Sequence, residues 1–283
     1  MFSLLVTGSS GYIGSAFIKS CAEKYRISRF SLQSQRFEDI DFQGLDAVLH
    51  CAAIVHKGHS ASADEYRRIN VEYPIHLAKL AKNNGVKQFV FVSSVSVYGS
   101  TEYIDDISVC KPTNINGQTK FEAEQRLLDL NDEGFSISIL RIPMVYGPQA
   151  PGNIKSIVRL VTYLPIIPLG NITNKRSFIS IQNLVYSIHQ VLRQQKKGIF
   201  LLADDEHIST SSLVKILIKS SKRKKILLDS RTINFFVKHL SPAMHDKLWG
   251  DLVINSSVSK RDLRLDLPID VEAGIADILK SES

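Results

Sequence analysis

The chain has 283 residues, 44% of them hydrophobic, so it can bury a large core as one elaborated domain or as a large domain carrying a smaller one. No apolar run approaches the ~20 residues that span a bilayer, and the first apolar residues have no basic leader, so we expect a cytoplasmic protein without stable membrane insertion. Three cysteines without paired spacings are not typical of a disulfide framework or a metal site.

The net charge of +7 indicates an anionic partner without saying which one. The densest basic run is Lys222 to Lys225, between two apolar stretches. A solvated turn is the simpler interpretation of this run. Single-strand binding would also need interleaved aromatic residues, and the run has none, so we do not expect a nucleic-acid partner.

An apolar stretch that ends in three regularly spaced glycines opens the chain. Phe2 to Val6 predicts a strand, and Gly8, Gly11 and Gly14 lead into a segment that predicts a helix. Gly8 permits a tight turn, Gly11 lets the backbone approach a diphosphate, and Gly14 lets the helix pack on the strand. Free N–H groups at the start of the helix favour an anion. The motif therefore predicts a dinucleotide-binding turn.

Strand-like and helix-like segments alternate through the first two-thirds of the chain, which is typical of a parallel sheet with helices on both faces. The predicted fold class is α/β, a Rossmann-type doubly wound parallel sheet. The further predicted strands are residues 27–32, 37–40, 46–53, 86–94 and 135–142, and the predicted helices are residues 64–83 and 117–131.

From Pro148 onward the alternation becomes irregular, with short mixed elements. We interpret residues 1–147 as a dinucleotide-binding domain. Residues 148–283 are then mainly a smaller α/β substrate lobe, with some segments returning to the main sheet. Because parallel sheets bind ligands at the carboxyl ends of their strands, this lobe should cover that edge and hold the substrate.

Several further motifs occur in the order typical of one enzyme family. They are T-G-S-S-G-Y-I-G at 7–14, H-C-A-A at 50–53, Asn70-Val71, V-S-S-V-S-V-Y-G at 92–99 and L-R-I-P-M-V-Y-G-P at 140–148. On these motifs the chain resembles the extended short-chain dehydrogenase/reductases that modify nucleotide sugars. It is closest in pattern to the UDP-hexose 4-epimerases and UDP-sugar 4-keto-reductases of bacterial polysaccharide synthesis, and the resemblance covers nearly the full chain.

The resemblance implies an NAD(P)-dependent enzyme acting at carbon 4 of a UDP-linked hexose, either a UDP-N-acetylhexosamine or its 4-keto-6-deoxy derivative. It implies NAD or NADP as cofactor and a UDP-sugar as substrate, and it leaves room for a homodimer. The positions that match the family's cofactor contacts are Gly8, Ser10, Gly11, Tyr12, Ile13, Gly14, Arg36, Asp39, Ile40, Cys51, Ala52, Ala53, Lys120 and Pro143.

In the family, a Ser or Thr at the end of the fifth strand and a Tyr-x-x-x-Lys pair on the next helix carry the chemistry. By this match Ser94 takes the hydroxyl role and Lys120 the lysine role, but Asn116 stands where the family has its tyrosine. An amide cannot exchange a proton near neutral pH, so we expect binding to survive and turnover to fall. Tyr103 and His56, in loops after strand ends, are candidate substitutes for the proton donor.

Three explanations of Asn116 stay open: a natural variant that uses another proton donor, a naturally inactive protein that binds a dinucleotide or a UDP-sugar, and a substitution of the natural residue. Retention of Ser94, Lys120 and Arg176 favours an enzyme. Asn116 itself favours the binding protein.

Two departures from the family pattern bear on the type of reaction and on the choice of cofactor. Dehydratases of the family carry an Asp-Glu pair after the hydroxyl residue, and this chain has Val95 and Ser96 there, which argues against dehydration. Residues 31–34, at the end of the second predicted strand, lack the acid that would contact the adenosine ribose, and Arg29 and Arg36 lie nearby. NADP is therefore at least as compatible with the chain as NAD.

Two segments of the lobe, residues 164–170 and 174–180, resemble those that hold a UDP-sugar. By this match Leu169 and Arg176 contact the nucleotide sugar, and Arg176 clasps the diphosphate with its planar fork of donors. Asn153 matches a further contact on the nucleotide sugar.

Overall fold

The computed structural model describes residues 1–31, 34–54, 62–221 and 224–281. Its strands are β1 (Phe2–Thr7), β2 (Tyr25–Phe30), β3 (Ala47–His50), β4 (Gln88–Ser94), β5 (Tyr103–Ile104), β6 (Ser136–Ile142), β7 (Val145–Tyr146), β8 (Ile166–Gly170), β9 (Ile179–Ser180), β10 (Gly198–Leu201), β11 (Ile226–Asp229) and β12 (Val253–Ile254). Its α-helices are α1 (Tyr12–Cys21), α2 (Ala63–Arg67), α3 (Tyr73–Asn83), α4 (Ile115–Leu128), α5 (Asn153–Tyr163), α6 (Ile181–Gln194), α7 (Thr210–Ser220), α8 (Arg231–Leu240), α9 (Pro242–Trp249), α10 (Ser257–Leu263) and α11 (Val271–Asp277).

Six parallel strands form the main sheet in the spatial order β2, β1, β3, β4, β6 and β10. The chain runs outward from β1 to β2 and then returns to the other side of β1 through β3, so the strand order reverses between β1 and β3. In doubly wound sheets, ligands bind at this reversal, outside the carboxyl ends of the strands. The predicted α/β class with a doubly wound parallel sheet is confirmed.

Helices cover both faces of the sheet, which explains why its central strands β1, β3 and β4 are mostly apolar. On β4, Val90 and Val92 enter the core cluster that contains α1 and α6. Phe89 and Phe91 enter the opposite cluster, which contains α3 and α4. All four side chains are buried, and α4 packs against β4.

The strand predicted at residues 37–40 is wrong, because Phe37–Asp39 forms a short 3₁₀ helix. Its carboxylate at Asp39 accepts a hydrogen bond from the Arg36 backbone N–H at 2.9 Å, which caps the turn. Phe37 packs its ring against Phe30 and Tyr73 instead of joining the sheet edge.

The helix predicted at residues 64–83 is present but is interrupted by a π-helical turn at Arg68–Glu72, between α2 and α3. It ends at Asn83, the predicted bound, with Asn84 as its C-cap, and Gly85 follows with a φ of +80°. The predicted helix at residues 117–131 is α4, two residues earlier at its start.

The lobe has its own apolar core, formed with Val158 of α5, Ile167 of β8 and Leu217 of α7. β8 pairs with β11 in a two-stranded parallel sheet. Two shorter pairs, β5 with β12 and β7 with β9, join the lobe to segments that follow β4 and β6. None of the helices in the described ranges combines the length and apolar character that a bilayer crossing requires.

Candidate active site

The glycine turn has the geometry of an anion cradle. Gly8 follows β1 with a φ of +65°, and a Cβ there would lie 2.7 Å from the Ala52 backbone nitrogen. A Cβ at Gly14 would clash with the Gly8 carbonyl oxygen, so α1 packs directly on the turn. Gly11 is the N-cap of α1 and makes no side-chain cap, which leaves N–H groups of the first turn available to a ligand. The residues present therefore fit a dinucleotide diphosphate.

Asn70 fixes the segment after β3 that contains Cys51, Ala52 and Ala53. Its Oδ1 accepts from the Ile54 N–H at 2.9 Å, and its Nδ2 donates to the Ile54 carbonyl oxygen at 2.9 Å. Asn70 is 1% exposed and lies within the π-helical turn, an irregularity that is frequent at functional sites. The Asn-Val pair in the sequence pointed to this position, but not to its bonds with the backbone.

Lys120 is a buried cation beside the carboxyl ends of β3 and β4. Its Nζ donates to the Val92 carbonyl oxygen at 2.8 Å and lies 4.3 Å from the centre of the Phe91 ring. Burial lowers the pKa of Lys120 to about 8. In the described part of the chain, Val92 is the one acceptor recorded for this ammonium. Because an ammonium has three donors, Lys120 has capacity for the hydroxyls of a ribose.

The charge of Lys120 also reaches the residues that follow β3. Burial, and to a lesser extent the nearby Lys120 ammonium, lowers the pKa of His50 to about 3, so His50 is neutral. Its Nδ1 lies 2.9 Å from the Thr7 hydroxyl oxygen. Burial raises the pKa of the Cys51 thiol to about 12 against the opposing effect of Lys120. His50 and Cys51 are therefore structural neighbours of the site and do not supply a proton near neutral pH.

Ser94 and Asn116 are joined through Ser96. The Ser96 N–H donates to Ser94 Oγ at 3.1 Å, and Asn116 Nδ2 donates to Ser96 Oγ at 3.0 Å. Asn116 lies one helical turn before Lys120 on α4, so both side chains face the end of β4. Asn116 Oδ1 is buried without a partner among the described residues. Ser96 had been noted in the sequence only as the position of a missing dehydratase acid.

A buried ion pair lies behind these residues, and sequence reasoning missed it. Glu124 is completely buried on α4, and Arg141 of β6 donates to it through Nη2 at 2.6 Å. Arg141 Nη1 also donates to the Tyr98 hydroxyl at 2.8 Å, and Ser93 of β4 donates to Glu124. The pair links α4, β4 and β6. The one signal of this ion pair in the sequence is the position of its acid, because Glu124 lies four residues after Lys120.

The remaining positions that the family resemblance predicts as cofactor contacts follow β1, β2 and β6. Asp39 faces Arg36, with 3.7 Å between carboxylate and guanidinium, so both acid and base are already paired with each other. Tyr12 has a buried hydroxyl without a partner among the described residues, and burial raises its pKa. Pro143 is buried directly after β6. Ser10 is exposed, and Ile13 and Ile40 are partly buried.

The three lobe positions predicted to contact the nucleotide sugar share no hydrogen bond or ion pair among the described residues. They are Asn153, Leu169 and Arg176. Arg176 donates through Nη1 to the carbonyl oxygens of Gly250 at 2.7 Å and Asp246 at 3.2 Å, and burial lowers its pKa. Asn153 is exposed at the start of α5, and Leu169 is 6% exposed within β8.

Two clefts open on the lobe. One, of about 400 Å³, is lined by Thr173, Asn234 and Gly250 among others. The second, of about 370 Å³, is lined in part by Tyr103 and His207. Tyr103 is 51% exposed, and its hydroxyl accepts from Asn255 at 3.3 Å. His56, the second candidate for the missing proton donor, lies outside the described residues.

Comparisons with known proteins agree with this arrangement. The model of the NAD dependent epimerase/dehydratase family matches residues 4–203. A UDP-glucose 4-epimerase of Vibrio cholerae is 32% identical over 92% of this chain and 84% of its own length. An N-acetyl-alpha-D-glucosaminyl-diphospho-ditrans,octacis-undecaprenol 4-epimerase of Escherichia coli O157:H7 is 24% identical over 79% of this chain and 73% of its own.

A solved structure has the same fold along its whole length. The UDP-glucuronic acid 4-epimerase from Bacillus cereus, in complex with NAD, superimposes with a TM-score of 0.77 at 19% identity. The match covers 99% of this chain and 98% of that one. The family resemblance predicted from the motifs is therefore confirmed, and the chain belongs to the NAD dependent epimerase/dehydratase family.

Proposed function

We propose that the chain is an NAD(P)-dependent enzyme of bacterial surface-polysaccharide synthesis that acts at carbon 4 of a UDP-linked hexose. The substrate is a UDP-N-acetylhexosamine or its 4-keto-6-deoxy derivative, and the reaction is a 4-epimerisation or a 4-keto reduction. The observation that carries this proposal is the position of Lys120, a buried cation with spare donors, one helical turn from the Ser96–Asn116 hydrogen bond. Burying this ammonium at 4% exposure with one carbonyl acceptor and one ring contact costs free energy, which a bound ribose would partly offset.

The chain's own residues divide into binding and orienting groups. Gly8, Gly11 and Gly14 would receive the diphosphate of the dinucleotide, and Lys120 would bind its ribose hydroxyls. A bound nicotinamide supplies the hydride chemistry. Ser94 offers a hydroxyl to the oxygen on carbon 4, while its own lone pair accepts from the Ser96 N–H. Arg176 would contact the diphosphate of the sugar nucleotide.

Asn116 limits the rate in this scheme. Its Nδ2 is used by Ser96, and its Oδ1 accepts but has no proton to give. It can therefore orient a substrate hydroxyl without exchanging a proton with it. Loss of a positioned acid or base typically costs about 10²- to 10⁴-fold in rate, so we expect a slow enzyme that binds well.

A second candidate function is a binding protein of the same fold that holds a dinucleotide or a UDP-sugar without turnover. The observation that favours it is again Asn116, which replaces the one residue that family members need for proton exchange. The two candidates share their ligands and differ only in turnover.

The test measures binding and conversion separately. Calorimetry would give the affinities of NAD, NADP and a set of UDP-hexoses and 4-keto UDP-sugars, and NMR would follow the configuration at carbon 4. Because the E. coli relative is named for a sugar on undecaprenol diphosphate, a second set would carry the same sugars on a polyprenyl diphosphate. Slow conversion of a bound sugar supports the enzyme, and tight binding without conversion supports the binding protein. Absence of binding by every nucleotide sugar would contradict the enzyme, and absence of dinucleotide binding as well would contradict both.

A further inference from the structure

The β8–β11 sheet of the lobe exposes an apolar row. Ile166 and Ile226 are direct partners across the two strands, and they are 47% and 57% exposed. Leu228, two residues further on the same face of β11, is 47% exposed. Leu164, just before β8, is 43% exposed. Four aliphatic side chains therefore lie on the surface around one pair of strands.

The helix that follows β11 continues this pattern. On α8, Phe235, Phe236 and Leu240 are 64%, 57% and 83% exposed. They occupy one side of the helix, because residues four apart share a face. Arg231, four residues before Phe235, lies on the same exposed side, whereas Asn234 is partly buried on another side of the helix and lines the cleft of about 400 Å³. The apolar side of α8 therefore faces away from the protein body. We call these exposed residues of β8, β11 and α8 the lobe face.

The charge around the lobe face is strongly basic. Between residues 224 and 247 the sequence has five Lys or Arg against two acids, Asp229 and Asp246. Lys238 and Lys247 are exposed on α8 and α9. Exposed aromatic and aliphatic side chains combined with lysines are typical of helices that lie in the interface of an anionic bilayer.

Self-association fits this surface less well. A second copy would bring two strongly basic faces together, and like charges at a contact oppose association. Nucleic-acid binding would use the basic residues and could stack bases on Phe235 and Phe236, but it would leave the aliphatic row on β8 and β11 exposed to water. Lipid acyl chains accept aliphatic and aromatic side chains alike.

We propose that the lobe face is a peripheral docking surface for an anionic lipid bilayer. Docking needs no spanning helix, since an interfacial helix enters only the headgroup and upper acyl region. It would place α8 on the membrane with another side of the helix lining the lobe cleft, so the cleft would open close to the membrane surface. This inference goes beyond the proposed reaction, and it is measured without any sugar or cofactor.

The experiment uses the full chain and lipid vesicles. Flotation with vesicles of phosphatidylcholine alone is compared with flotation on vesicles that also contain phosphatidylglycerol. The chain is expected to float with the anionic vesicles, and binding should weaken as salt is raised. Phe235→Ser with Phe236→Ser should reduce the partition onto anionic vesicles by at least about tenfold, because two rings no longer enter the interface.

A matched control removes equally exposed apolar side chains elsewhere. Ile107→Ser with Val109→Ser changes residues that are 83% and 70% exposed but lie after β5. This variant should float as the unchanged chain does, and circular dichroism checks that both variants fold. The proposal is overturned if the chain ignores phosphatidylglycerol or if both double variants lose binding equally. It is also overturned if light scattering shows that Phe235 and Phe236 hold a dimer that does not float.

Discussion

Asn116 has an amide where the family resemblance predicts the phenol of a tyrosine. The structure shows which contacts this amide makes. The Nδ2 group is held by Ser96, whereas the Oδ1 atom is buried without a partner among the described residues. An unpaired buried acceptor costs about 1–3 kcal/mol. A substrate hydroxyl that donates to Oδ1 would recover part of this cost. We therefore expect Asn116 to bind a sugar hydroxyl without moving its proton.

The glycine turn gives the first residue-scale prediction. Gly11→Val should abolish binding of NAD and NADP, because the branched side chain would occupy the space that the diphosphate must approach. Gly134→Val is the matched control, since a Cβ at Gly134 lies 3.7 Å from its nearest neighbour in a loop far from the turn. Calorimetry measures both. Unchanged dinucleotide affinity in a folded Gly11→Val protein would contradict the site assignment.

The burial of Lys120 predicts that the stability of the folded chain depends on pH. Burial lowers its pKa to about 8 in the folded chain, whereas an unfolded lysine titrates near ~10.4. Between these values the unfolded chain binds more protons, so the free energy of unfolding should rise with pH, by on the order of 3 kcal/mol in total. Denaturant titrations of the cofactor-free chain measure it. Lys120→Met should lack this rise; an identical pH profile in the variant would show that Lys120 is not the titrating group.

The next prediction concerns Arg176 and the affinity for the sugar nucleotide. Arg176→Ala should weaken UDP or a UDP-sugar by about 1.5 to 3 kcal/mol, the range for a hydrogen bond to a charged group, and leave dinucleotide affinity unchanged. Lys175→Ala, at an exposed neighbour, is the control. Equal losses for both ligands would instead make Arg176 a residue that holds α9, through its bonds to the Gly250 and Asp246 carbonyl oxygens.

At the scale of elements, local sequence patterns predicted most of the strands of the sheet. They failed where contacts between residues distant in sequence determine the secondary structure. The strands around Leu4 and Val90 were predictable because burial on both faces makes them mostly apolar. Phe37 was assigned to a strand because its packing against Tyr73 of α3 is invisible in the sequence. The π-helical turn was missed for a similar reason, since Asn70 there bonds to Ile54, sixteen residues earlier.

α4 supports the site through its buried acid. Glu124→Gln should destabilise the fold by about 3–5 kcal/mol, because it leaves the Arg141 guanidinium buried without a compensating charge. Glu122→Gln on the same helix is the control. Its carboxylate is partly exposed and pairs with Arg67 and Arg126, so its loss should cost at most about 1 kcal/mol. Urea unfolding compares the two, and equal midpoints would contradict a structural role for the buried pair.

For the whole molecule, the sheet order explains how residues distant in sequence meet. The carboxyl ends of β1, β3 and β4 lie side by side, so the glycine turn, the segment held by Asn70 and the α4 side chains face one edge. The motifs predicted these positions because each follows a strand end. They could not predict the link through Ser96 or the Glu124–Arg141 pair, which depend on how α4 sits on the sheet. The extent of the two domains stays a prediction.

The comparison of the chain with its Asn116→Tyr variant tests the account most directly. Turnover of a UDP-hexose or a 4-keto UDP-sugar would be measured for both, with binding of the same sugar followed by calorimetry. We expect equal binding and turnover at least ~100-fold faster in the variant, the lower bound for a restored acid or base. No gain in the variant, together with substantial native activity that His56→Ala or Tyr103→Phe abolishes, would show that the proton passes elsewhere and would contradict the assignment of Asn116.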